Sequence, residues 1–79
     1  MFWPHGVLIR VSGQPPRTFT WQGQPHAVSA IVEQWRVEVG WWGEPQRRDY
    51  YRLITRDGWL VLLFHDLLGG GWYLQRLYD

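Results

Sequence analysis

Cysteine is absent from the 79 residues, and so are lysine and asparagine. Without cysteine there are no disulfide staples, no thiolate zinc sites and no sulfur nucleophile. Without lysine there is no P-loop lysine and no Schiff-base chemistry. An excess of one charge is missing too. Eight basic residues, all arginine, stand against seven acids and leave a formal net charge of +1, far from the basic balance of an electrostatic nucleic-acid binder. The longest apolar run, Trp59 to Phe64, falls well short of the about 20 residues that cross a bilayer as a helix. The segment Phe2-Trp3-Pro4-His5-Gly6 lacks the charged and apolar regions of a signal peptide, so a cytoplasmic protein away from membranes is expected. The shortage of thermolabile residue types fits a heat-adapted, thermostable protein, and a GC-rich genome accounts for it equally well.

What the chain does have is aromatic mass: seven Trp, four Tyr and three Phe. A domain this small buries only about 60% of the surface its unfolded chain exposes, and large rings compensate by burying about 150–250 Å² each. One domain over residues 1–79 is expected. Apolar and polar residues alternate over Val7–Val11 and Arg17–Trp21, with Gly13-Gln14-Pro15-Pro16 and Gln22-Gly23-Gln24-Pro25 as turns. Residues 48–78 read as a three-stranded meander, Arg48–Thr55, Trp59–His65 and Trp72–Tyr78, joined by Asp57-Gly58 and Gly69-Gly70-Gly71. His26–Val39 is ambiguous. It alternates as a strand with an irregularity near Glu33, yet Val28, Ile31, Val32 and Trp35 also fall at helical spacing. The pattern predicts a mainly β protein, a small antiparallel SH3-like or partly open barrel of five to six strands. The alternative is an α+β fold with one short helix near residues 28–34. The expected core is Val7, Ile9, Phe19, Trp21, Ile31, Trp35, Val37, Tyr51, Leu53, Leu60, Leu62, Phe64, Trp72 and Leu74.

The motifs Trp35-Arg36-Val37-Glu38, Gly40-Trp41-Trp42-Gly43, Arg47-Arg48-Asp49-Tyr50-Tyr51-Arg52, Asp57-Gly58 and Trp72-Tyr73-Leu74 occur together in the second half. In this combination the chain resembles a small bacterial domain that is similar to the extreme C-terminal segment of ImuB-type proteins, the Y-family-polymerase-like subunits of a mutagenic repair system. The resemblance covers roughly residues 17–79. It implies a DNA-damage-tolerance context and supplies no catalytic residues, because that segment lies outside the polymerase-like core.

Two constellations are candidate binding sites. Alternation places Arg48, Tyr50 and Arg52 on one strand face. There they form either a stacking platform with phosphate-grasping forks or a solvated face, its guanidinium groups paired with Glu38, Glu44 or Asp66 or lying over a Trp. Trp41 and Trp42, between two glycines, form either an exposed aromatic anchor or a cap on the end of the barrel. The unbroken run Leu60–Phe64 needs cover on both faces, which points to a homodimer through this sheet. His5, His26 and His65 with Asp49, Asp66 and Glu33 show no metal-ligand spacing, and neither a metal nor a cofactor is expected. The function expected is a non-enzymatic protein–protein interaction module, self-associating and working with a protein partner in a DNA-damage-tolerance assembly. The alternative is single-stranded nucleic-acid binding through Arg48, Tyr50 and Arg52.

Overall fold

Asp57-Gly58 reverses the chain, and Gly58 takes a φ of +92° that an L side chain rarely tolerates. The amide of Thr55 donates to the Trp59 carbonyl at 2.9 Å, closing the turn. The strands on either side, β4 (Gln46–Thr55) and β5 (Leu60–Asp66), pair antiparallel from Ile54↔Leu60 to Arg48↔Asp66. β6 (Trp72–Tyr78) adds to β5 after a turn in which Asp66 Oδ1 accepts from the amides of Leu68 and Gly69. The computed structural model describes residues 1–40 and 43–78. Trp41 and Trp42 lie outside the described residues.

The first half completes a ring. β1 (Phe2–Ser12) pairs with β6 on one side and with β2 (Thr18–Trp21) on the other, and β2 pairs with β3 (Gln24–Val39). With β3 on β4, six antiparallel strands form a closed barrel in chain order. The six-stranded β expectation holds, and the sheet is closed where a partly open one was among the expectations. The seam is closed by backbone pairing: the Met1 ammonium donates to the Leu77 carbonyl, and the Leu77 amide to the Met1 carbonyl, both at 2.9 Å.

No helix forms at 28–34. The apolar spacing there comes from two register shifts in β3, between Val28 and Ala30 and between Ile31 and Glu33. Each breaks the two-residue alternation, so Val28 and Ile31, three apart, both pack against the core. The shifts sit where β3 changes company. Gln24–Ala27 pair with β2, whereas from Ala30 to Val39 the strand is paired through β4. Among the described residues no strand lies along the other edge of that second half.

Inside the barrel, Ile9, Phe19, Tyr51, Leu53, Val61, Leu63 and Leu74 form the buried cluster, with Trp21, Ile31 and Trp72 packed against it. Trp35, Val37, Leu60, Leu62 and Phe64, expected in this core, are instead registered with the outward-facing Arg48, Tyr50, Arg52 and Ile54, although Leu62 and Phe64 are buried as expected. β5 is apolar at every position from Leu60 to Phe64, so alternation does not distinguish its two faces. Val61 and Leu63 are the inward pair, each 0% exposed.

Candidate interaction face

Cross-strand partners share a face, so the registers specify what the outer wall presents. One row runs Trp35–Tyr50–Phe64–Tyr73 across β3, β4, β5 and β6. Successive ring centroids are 5.4, 5.4 and 4.9 Å apart. Trp35 and Tyr50 lie within 6° of parallel, and Phe64 and Tyr73 within 16°. These spacings lie in the attractive range for aromatic pairs. The neighbouring row is Glu33–Arg52–Leu62–Arg76.

The arginines lie on the rings. The Arg48 guanidinium sits 4.2 Å above Phe64, and its Nη1 donates to Tyr50 Oη at 3.2 Å. Arg52 lies 5.4 Å from the Trp35 ring and 5.7 Å from that of Tyr78, donates through Nε to Tyr78 Oη at 3.3 Å, and pairs with Glu33. The Tyr78 hydroxyl, ahead of the Glu33 carboxylate, holds the Arg52 pKa above its ordinary value. Arg76 lies 4.5 Å over Tyr78. Of the two arrangements weighed for Arg48, Tyr50 and Arg52, the guanidinium groups thus adopt ring stacking and ion pairing. Arg52 lies over a Trp as expected, Trp35, and the other partners are Phe64, Tyr78 and Glu33 in place of Glu38, Glu44 or Asp66.

Cover for this wall comes from the chain itself. Phe64 is 2% exposed and Leu62 8%, although both point away from the barrel interior. Arg48 lies over Phe64, and the backbone at Gly6 approaches so closely that a Cβ there would stand 2.9 Å from Phe64 Cε2. β5 therefore supplies no demand for a second copy as cover. Trp35, Tyr50, Tyr73 and Tyr78 remain half-exposed. Reflecting the chain about Asp57 pairs Tyr50 with Phe64, so this part of the row was detectable from the turn alone. Tyr73 required the register of β6.

Other polar groups are committed elsewhere. At one end of the barrel Arg36 donates from Nε and Nη2 to the two oxygens of Asp49, at 2.7 and 3.1 Å. That hydrogen bonding holds the Asp49 carboxyl below its ordinary pKa. His65, opposite Asp49 in the register, stacks on Trp72 at 4.3 Å, and its Nδ1 is buried without a hydrogen-bond partner among the described residues. At the other end His26 stands 3.6 Å from Asp57. Asp57 accepts from the Thr55 hydroxyl at 2.5 Å, the main cause of its lowered pKa. Among the described residues no three His, Asp or Glu side chains are grouped to hold a metal ion, and no helix is long and apolar enough to cross a membrane.

Fold and face together define a small closed β-barrel whose outer wall carries an arginine-covered aromatic row. Residues 5–79 match the family described as "Domain of unknown function (DUF6504)", and the chain belongs to that family. It is also 32% identical over 86 aligned residues to Protein ImuB from two strains of Caulobacter vibrioides. The alignment takes in 91% of this chain and 19% of each relative, so the chain is similar to a segment about a fifth as long as the ImuB protein. No solved structure matches the chain.

Proposed function

We propose that this domain is a non-enzymatic protein-interaction module that docks through the outer wall of β3–β6. The observation that carries the reading is the half-exposed row of Trp35, Tyr50 and Tyr73 interleaved with Arg48 and Arg52. Trp, Tyr and Arg are the residue types that dominate binding energy at protein interfaces. Rings already held parallel lose little freedom on docking. The edge of β3 beyond Ala30 adjoins this wall and offers backbone groups to a partner strand. Likeness to a segment of ImuB supports a place in a DNA-damage-tolerance assembly.

Single-stranded nucleic acid is the second reading, favoured by the ring spacing across the sheet. Against it, the faces a base would stack on are occupied: Arg48 lies on Phe64, and Arg52 on Trp35 and Tyr78. Two measurements separate the readings. A photo-crosslinking residue at Ile54, which is 38% exposed on this wall, should give a discrete protein adduct in cells of the source organism. The same residue at Arg10, on β1, should give none. The pair Arg48→Ala and Arg52→Ala should remove the adduct. Fluorescence anisotropy with a labelled single-stranded DNA should show no binding. Micromolar binding that weakens about tenfold between ~50 and ~200 mM salt would establish the nucleic-acid reading instead.

A further inference from the structure

The barrel is filled asymmetrically. At one end the Arg36–Asp49 pair and the His65–Trp72 stack lie within the wall. At the other a cavity of about 400 Å³ opens between Met1, the β2–β3 turn and the β4–β5 turn. Its floor is core: Phe19, Val61 and Leu74, each 3% exposed or less. Trp21 and Trp59 line it as well, and Gln22, Gln24 and His26 supply its polar groups.

We infer that this barrel mouth is a binding site for a small, uncharged aromatic molecule. The volume falls within the roughly 300–1,000 Å³ typical of small-molecule sites, and barrel mouths are a common place for them. Charge selects against ions. Among the described residues no Arg, Asp or Glu lines the cavity, the Met1 ammonium at its rim is hydrogen-bonded to the Leu77 carbonyl, and His26 faces Asp57 across 3.6 Å. A charged ligand would lose its hydration with no charged Arg, Asp or Glu side chain among the described lining residues to replace it. Aromatic character follows from the indoles of Trp21 and Trp59, the first braced through its ring and the second, 42% exposed, held through its backbone. Trp21 meets Trp3 edge-on with centroids 5.2 Å apart, and the Trp59 amide donates to Thr55 Oγ1 at 2.9 Å. His26 is held against Phe19 at 5.2 Å. A site whose walls are already placed binds without an ordering cost. The Gln22 and Gln24 side chains supply amide hydrogen bonds for one polar substituent.

The test uses the full chain and N-phenyl-1-naphthylamine, an uncharged probe that brightens in apolar surroundings. Saturable one-to-one brightening is expected, with amide shifts in a ¹⁵N-labelled sample confined to the neighbourhoods of Phe19, His26, Thr55, Val61 and Leu74. 8-Anilinonaphthalene-1-sulfonate, nearly the same ring system carrying a charge, should bind at least tenfold more weakly. Leu77→Trp, which fills the cavity, should weaken the neutral probe at least tenfold while circular dichroism stays that of a folded sheet. If that variant fails to fold, the shift map of the unaltered chain decides. Absence of brightening, shifts centred on Tyr50 and Tyr73, or equal affinity for the charged probe would each overturn the assignment.

Discussion

A carboxylate facing a barrel wall stays ionised only with a cation in reach, and Asp49, 8% exposed, has Arg36. Because the pair lowers the Asp49 pKa, it stabilises the fold above the ordinary carboxylate value, about 3.9, and the contribution fades as pH falls through the lowered folded value. Melting followed from pH 7 to pH 2 should therefore show the native chain losing Tm more steeply below about pH 4 than Asp49→Asn. Some slope should remain, because Asp57 is lowered as well. Parallel curves would mean that Asp49 contributes nothing to the acid response. Gly6 has a different constraint. Its φ is +76°, and a Cβ would stand 2.8 Å from that of Tyr73 and 2.9 Å from Phe64 Cε2. Backbone strain and overpacking together predict a loss of about 2–4 kcal/mol for Gly6→Ala, read as a lower urea midpoint. An unchanged midpoint would show that β1 slides away from Phe64 at little cost.

Among the elements, β4–β6 were legible because two turns with strong chemistry bracket them, and the Arg48-Tyr50-Arg52 face followed from alternation alone. β3 was legible only as an ambiguity. Its two bulges put Val28 and Ile31 on the core at a spacing that also suits a helix. For β5 the strand was evident and alternation did not give its facing, so Phe64 was expected inside the barrel, although the Asp57 turn already pairs it with the outward Tyr50. The divided pairing of β3 has a dynamic counterpart. Between Ala30 and Val39, amides directed away from β4 have no strand to bond among the described residues, whereas those around Tyr51 and Leu53 lie between β3 and β5. Hydrogen exchange should be fast at alternate positions in this half of β3 and slowest at Tyr51 and Leu53. Uniform protection along Ala30–Val39 in the isolated protein would mean that the edge is already covered, by a second copy of the chain.

For the molecule as a whole, closure was the feature least open to sequence reasoning. Met1 and Leu77 are 76 positions apart, and no local pattern reports a bond between strands at opposite ends of a chain. Closure joins β1 to β6 antiparallel, which puts residues 1 and 78 at the same end of one two-stranded seam. A pull applied through those two ends would load the seam bonds one after another, as a zipper is opened, and never all at once as in shear. The domain is therefore expected to yield at low force when held by its ends and to resist far more when pulled along a strand. Tension transmitted along a chain that contains it would open the β1–β6 seam first, taking Gly6 away from Phe64 and uncovering the aromatic row from behind.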